Sequence, residues 1–544
     1  MASTESDPSQ LPVPVVVPNP ATPPIPPNPQ LMPSQAARPG PSLFRNIVAG
    51  SASSIYAAII AILMAPVYIH WLGKESYGLI AFATVLQGWL AMLDLGLTQA
   101  FTREVARYHG GALPASQLRQ LLRVLAVITS ATAVLIAVAI AAASPFIANS
   151  WLKTESLSPT DAAWCVACMG LAIAARWPLG LMRGILTGSE AFVWLGGANI
   201  ILASLRAFGV LGAFALVAAT PIVFFVWQAL VSVLEVIVYT RRARALLPEP
   251  EAHIAWSWQP LRHMLRFSLS VAFMAAVWTG ITQLDRLILS TLLPLADYAV
   301  YALAVLAASG VTFAVAPIAA TIQPRLARIA AGGDIQDAAA FYRRSSHVIA
   351  IVAAPLAAVM ATQAESILWA WTGDAALART GAPIAALYAI GNGLIAIGAF
   401  QYYLQFAYGN VRLNIWFNIV YALTMLPLTV FVVFHWGAYG AAWTWLGVNA
   451  ALVLFWTPVV HARFAPGIHR RWLIADVGLP VVVAAGVAVA CGYLPHFHNR
   501  LALLAQLLAM GAVVALATAL SSRVVRQYLA AILVRWRQPR ASLR

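Results

Sequence analysis

Seven charged residues, Asp94, Arg176, Arg183, Arg206, Glu235, Asp285 and Arg286, fall within otherwise apolar stretches of the sequence. Arg176, Gly180, Arg183 and Thr187 recur at i, i+4, i+7 and i+11, so one helix would present them on a single face. Thr279, Gln283, Arg286 and Ser290 repeat that spacing as a polar stripe, Asn199 and Arg206 stand seven apart, and Gln87, Asp94 and Thr98 form a further polar set. An arginine fork grips phosphate oxygens bidentately and keeps its charge in a low-dielectric site, so the pattern suits a phosphate-bearing group. The acids Asp94 and Asp285 suit a different task. A buried carboxyl holds a proton more readily than one in water, which fits either acid as a carrier of H+ or Na+. Each charge also has a plainer reading. Arg183 can snorkel toward lipid headgroups, and Asp94 can be a structural acid at the membrane boundary. Asp285 and Arg286 are adjacent, point to different faces and can each pair with a neighbouring helix. Glu235 reads as a partner for a basic residue, with no other polar residue marking its face.

The elements that must position these residues are membrane helices. Hydrophobic residues make up 61% of the 544 and charged residues 9%, against about 25% charged in a soluble domain, which makes the chain a polytopic membrane protein. A charge at mid-bilayer costs about 2.5–3.5 kcal/mol on insertion scales, so several together call for a water-filled cavity. The net charge of +15 is spread one short loop at a time, which fits membrane orientation and not nucleic-acid binding. Three cysteines make no disulfide framework, and Cys165 and Cys168, a CxxC without a second ligand pair, read as packing residues. Gly180, Gly184 and Gly188 read as close helix packing. No catalytic dyad, metal cluster or phosphate-binding glycine loop is visible, so neither enzyme activity nor a cofactor is expected.

From Phe44 onward fourteen spans are expected, joined by short loops. Residues 1–41, with thirteen prolines, read as a disordered cytoplasmic tail and not as a signal peptide. Residues 42–247 hold helices 1–6, 248–465 hold helices 7–12, 466–522 hold helices 13–14, and 523–544 form a basic cytoplasmic tail. With the N-terminus inside, 26 of the 33 lysines and arginines fall on the cytoplasmic side and only Lys74, Lys153, Arg379 and Arg500 outside, which places both termini in the cytoplasm. Adding 221 to residues of the opening region lands, without a gap, on similar residues: Tyr77 on Tyr298, Arg45 on Arg266, Arg107 on Arg328 and Gly111 on Gly332. An even number of helices per copy gives both copies one orientation. The expected fold class is therefore all-α, with two parallel six-helix lobes plus two C-terminal helices and the path between the lobes. Arg176, Arg206 and Arg286 would face that path, with Arg45, Arg183 and Arg266 at its cytoplasmic mouth. Tyr402, Tyr403 and Tyr408 read as an interfacial aromatic belt, with stacking on sugars as the alternative.

LGKESYGLI at 72–80, MLDLGLTQAFTREVAR at 92–107 and ITQLDRLILSTLL at 281–293 resemble the polysaccharide flippases of the multidrug/oligosaccharidyl-lipid/polysaccharide exporter superfamily, and are most similar to the O-antigen type. The likeness is best over residues 44–111 and 262–333. It implies a V-shaped bundle, alternating access, and transfer of an undecaprenyl-diphosphate-linked oligosaccharide across the bacterial inner membrane. The cargo would be an O-antigen or exopolysaccharide repeat unit, and partners would include membrane lipid and glycan polymerase machinery. A cation-coupled drug antiporter of the same superfamily, or a membrane polymerase or ligase acting on the same lipid, are the alternatives. The antiporter would want more acids and fewer arginines, and the enzymes a larger outside loop or cytoplasmic domain.

Overall fold

The computed structural model describes residues 43–247, 258–332, 335–410, 412–523 and 525–527. The proline-rich segment 1–41 and most of the basic tail 523–544 lie outside the described residues, as do the side chains of Arg45 and Arg266.

A backbone that crosses lipid must satisfy its own N–H and C=O groups, and the described elements are accordingly helices. α1 is Leu43–Leu90; its 48 residues would reach about 72 Å if straight, more than twice a hydrocarbon core of about 30 Å. It folds back at Gly73, whose φ of 83° is a left-handed conformation that costs glycine little. The first lobe continues with α2 (Leu97–His109), α3 (Ala115–Phe146), α4 (Pro159–Arg176), α5 (Leu179–Gly188), α6 (Phe192–Leu216) and α7 (Pro221–Arg244). The second holds α8 (Gln259–Leu292), α9 (Leu295–Ala331), α10 (Ile335–Thr362), α11 (Ala364–Thr372), α12 (Ala375–Gly398) and α13 (Phe400–Ala407). α14 (Arg412–Ala451) and α15 (Thr457–Phe464) complete it, and α14 turns back at Gly437, φ 56°. The single turn α16 (His469–Arg471), then α17 (Leu479–Gly492) and α18 (Arg500–Ser521), form the C-terminal pair. Among the described residues eleven helical stretches are long and apolar enough to cross a membrane. Two of these turn back on themselves, and α8 at 34 residues is also long enough, which accounts for the fourteen spans.

The two lobes share one core at one end. At the end bearing Lys74 and Lys153 a single buried core takes Leu79, Phe82 and Phe214 from the first lobe and Tyr298, Leu368 and Ala385 from the second. At the arginine-rich end there are two further cores: Phe101, Leu121 and Ile185 of the first lobe pack with Leu261 of α8 in one, and Val315, Tyr342 and Leu404 of the second lobe lie in the other. Tyr77 lies in a cluster with Ala299 and Leu303 of α9, while Tyr298 shares one with Leu79 of α1, so the two turn tyrosines pack reciprocally across the joint.

Polar pins close that joint. Lys74 meets Asp374 at 2.6 Å. Lys153 Nζ donates to the Leu292 carbonyl at 2.8 Å, and the Leu295 N–H donates to the Lys153 carbonyl at 3.0 Å. Trp151 Nε1 donates to Ser290 Oγ at 3.1 Å, and Trp371 Nε1 to the Ile62 carbonyl at 3.0 Å. Gly78 makes the approach possible, because a Cβ there would stand 2.3 Å from the Leu295 carbonyl oxygen.

Two spans expected to be continuous are broken midway. Span 2 is interrupted by a tight turn, Ala91–Asp94, followed by left-handed Leu95 and Gly96, φ 49° and 68°. Asp94 accepts from the Thr98 N–H at 3.2 Å and from Thr98 Oγ1 at 2.9 Å, which serves the donors freed where α2 begins. Span 4 breaks at Trp177-Pro178, between α4 and α5, because proline cannot continue the ladder. α5 then packs on α2 so closely that a Cβ at Gly180 would meet Thr98 Oγ1 at 2.6 Å, and one at Gly188 the Thr102 carbonyl at 2.7 Å.

Candidate functional site

Three arginines of the first lobe converge on one carboxylate. Glu235 on α7 is 3% exposed. Arg206 of α6 donates to its Oε2 at 2.5 Å, Arg183 of α5 to its Oε1 at 3.0 Å, and Arg176 Nε, at the end of α4, lies 3.3 Å from Oε2. A buried carboxylate is tolerated only when paired, and three guanidinium groups around one carboxylate leave two positive charges over. The break at Trp177-Pro178 matters here: Arg176 and Arg183 sit on separate helices, yet both reach Glu235.

Neutral groups fix two of the forks. Arg183 also donates to Asn199 Oδ1 at 3.0 Å and stands 5.4 Å over the Tyr239 ring. Tyr239 in turn donates to Asn199 at 2.7 Å. Arg206 donates to Gln228 Oε1 at 3.2 Å and to Ser232 Oγ at 3.3 Å. Gln228, Ser232, Glu235 and Tyr239 thus form an i, i+4, i+7, i+11 stripe on α7. The expectation that Glu235 stands on an otherwise unmarked face is corrected by this stripe. The spacing was present in the sequence, but Ser232 and Tyr239 are weak polarity signals in a helix ending in Arg241, Arg242 and Arg244.

Arg176 and Arg206 line a cavity of about 410 Å³ between α1, α4, α6 and α7, together with Gln87, Gln228 and Ser232 and an apolar wall that includes Phe224. Arg183 is not among its lining residues, and neither is Arg286. Arg286 stands on α8, where Nη1 donates to Gln283 Oε1 at 3.3 Å; Gln283 lies within 4.0 Å of where a Gly88 Cβ would be. So Arg286 is beside the α1 limb that carries Gln87 but outside the cavity that the other two share. The Nε atoms of Arg176 and Arg286 are buried and without a hydrogen-bond partner among the described residues.

The acids have different surroundings. Asp285, 8% exposed, accepts from Tyr301 of α9 at 2.8 Å and from Tyr388 of α12, and the two hydroxyls lie 2.9 Å apart. Neither tyrosine was signalled in the sequence, since only the fold brings α9 and α12 against α8. Asp94 caps α2. Arg45 and Arg266 belong to α1 and α8, with side chains outside the described residues. Cys165 packs in the shared core, and Cys168 lies against it.

The profile of the family described as polysaccharide biosynthesis protein matches residues 43–330, more than half of the chain. The chain belongs to that family. No curated protein matches it significantly. Among solved structures, the lipid II flippase MurJ in an inward closed conformation is similar with a TM-score of 0.68 at 12% identity, covering 89% of this chain and 100% of that one. A eukaryotic MATE transporter, AtDTX14, reaches a TM-score of 0.49 at 11% identity over 79% of this chain and 98% of its own. At such identity the first likeness shows fold, and the second is too slight to carry an argument. The family member is thus a multi-pass membrane protein with a lipid-flippase fold, and the resemblance read from the motifs at 72–107 and 281–293 holds at the level of family and fold.

Proposed function

We propose that this protein flips a lipid-linked oligosaccharide, an O-antigen or exopolysaccharide repeat unit on undecaprenyl diphosphate, across the bacterial inner membrane by alternating access. The observation that carries the reading is the first-lobe cavity, where Arg176 and Arg206 bring an excess of positive charge to a largely apolar wall. Diphosphate competes with Glu235 for the same forks, gaining charge-assisted bonds while the carboxylate keeps Arg183. The polyprenyl chain stays in lipid and the sugars pass between the lobes, loaded from the arginine-rich side, which this reading takes as cytoplasmic. Arg45 and Arg266 would meet the head group at the mouth, and Arg286 would receive it from the opposite lobe. Asp94 or Asp285 would couple the cycle to H+ or Na+, and glycan polymerase would take the product outside. A cationic wall is the wrong sign for a cation-drug antiporter.

The test is surface glycan in a flippase-deficient cell. Lysine keeps the charge and loses the fork, and glutamine loses both. Activity at positions 176, 206 and 286 should fall in the order arginine, lysine, glutamine, each glutamine lowering export by about tenfold to hundredfold, the worth of a charge-assisted bond. Normal glycan from Arg176→Gln, Arg206→Gln and Arg286→Gln at normal expression would overturn the reading.

A further inference from the structure

A second cavity, of about 650 Å³, lies away from the first lobe, between α10, the α16–α17 segment and the end of α18. Arg344, Arg471 and Arg523 line it, all exposed, and none has an ion-pair partner among the described residues. The frame around them is held by its own contacts. Arg343 grips Asp476 bidentately at 2.6 and 3.0 Å, and His347 bridges the Asp476 carbonyl and Ser522 Oγ, each at 2.8 Å. Asp476 is therefore spent on Arg343, and three uncompensated positive charges face the opening.

The cleft has a direction. Along α10, Arg344 is followed on the same face by Val348 and Ile351, at i+4 and i+7. From Arg471 the lining continues through Ala475 to Leu479. Val348 and Leu479 are 46% and 45% exposed, so apolar surface extends away from the cationic end. The shape is that of a site for an amphiphile: guanidinium forks for a phosphate, then a wall for hydrocarbon. Basic pockets between helices at the cytoplasmic membrane surface suit anionic headgroups, and phosphate is the anion for which arginine forks are shaped.

We propose that this cleft binds the phosphate headgroup of an anionic glycerophospholipid of the cytoplasmic leaflet, with its acyl chains along Val348, Ile351 and Leu479. The leaflet follows the orientation given above, but the binding itself does not depend on what the protein transports. A lipid seated there would tie the C-terminal pair to the second lobe through α10, beside the Arg343–Asp476 pair.

The test uses the full chain, purified in detergent and followed by native mass spectrometry with phosphatidylglycerol, phosphatidylcholine or inorganic phosphate. The parent protein should hold phosphatidylglycerol in preference to phosphatidylcholine. The triple variant Arg344→Gln, Arg471→Gln, Arg523→Gln should lose that preference by about tenfold or more, because each arginine near a membrane surface contributes appreciably to anionic-lipid binding. The corresponding triple lysine variant, which keeps the charge, should retain most of it and shows that the fold is intact. Equal phosphatidylglycerol binding by parent and glutamine variant overturns the proposal. So does occupancy by inorganic phosphate as tight as that by the lipid, which would make the site a reader of free anion.

Discussion

Glu235 is the residue on which the first-lobe charges depend. Removing one partner of a buried charge pair costs about 3–5 kcal/mol, because the remaining charge is left uncompensated. Glu235→Gln should therefore lower stability by roughly 3 kcal/mol in a chemical-denaturation or thermal assay. Adding Arg183→Gln should recover much of that loss, since Arg183 is the fork that stands outside the cavity lining. A Glu235→Gln protein as stable as its parent would show that the cluster is not held by its carboxylate. The two candidate coupling acids can be separated in the same way. Asparagine keeps one acceptor oxygen for the Thr98 N–H and puts an NH2 group, which can donate to Thr98 Oγ1, in place of the other, so Asp94→Asn removes the charge while leaving the start of α2 a hydrogen-bonding partner. If Asp94 couples transport, that variant should fold and insert normally and lose ion-dependent export. Asp285→Asn should do so if the acid held by Tyr301 and Tyr388 is the carrier. Full activity in both variants removes the coupling role from these positions.

At the scale of the element, the breaks in spans 2 and 4 are one unit. Gly180 lets α5 approach α2 at the point where Thr98 donates to Asp94. A methyl group at 180 would meet the Thr98 hydroxyl oxygen and force it from its carboxylate, an overpacking that costs about 1–3 kcal/mol. Gly180→Ala should lower stability by that amount, whereas Gly197→Ala, with nothing within 4 Å of its Cβ, should not. Equal stability of the two variants would mean that α5 and α2 do not need this close contact. The same argument explains why Gly180, Gly184 and Gly188 repeat every fourth residue: all three face the α2 segment Phe101–Val105 or the residues just before it.

At the scale of the whole molecule, the lobes share one core at the end bearing Lys74 and Lys153, and under the alternating access proposed above that end is the outer one and its pins would have to release. Lys74–Asp374 is the exposed pin, with side chains 36% and 31% exposed. The Leu377 N–H and then the Lys74 ammonium hold the Asp374 carboxyl below the usual carboxylate range. A lowered folded-state pKa means that the pin is fully formed above the ordinary value of about 3.9 and is lost only as pH falls through the lowered one. Between pH 7.5 and 5 the outer end should stay shut to the same degree. Labelling a cysteine at Gln87 with an impermeant thiol reagent from outside, in a variant free of Cys165, Cys168 and Cys491, reads this directly. Asp374→Asn should raise the labelling rate no more than about five-fold, as an exposed ion pair warrants. Gly78→Ala, which drives a methyl group into the Leu295 carbonyl, should raise it further. No change in either variant would mean that these contacts do not hold the outer end.

The sequence by itself determined the class, the number of spans, the lobed architecture and the family. Hydropathy and short loops are local properties, and a bilayer imposes the same length and the same backbone satisfaction on every crossing segment. Gly73 turns within an expected loop, and Gly437 turns at the first residue of the span expected to follow one, for the same reason. The sequence also marked Arg176, Arg183 and Arg206 as polar residues on helical faces. What those faces meet was decided by tertiary structure. Pro178 splits the face that carried Arg176 and Arg183, and only the packing of α4, α5, α6 and α7 brings three arginines to the one carboxylate of Glu235. Arg286, with the same spacing signature, is taken by α8 to a different wall, because spacing along one helix holds no information about which neighbour that helix will face.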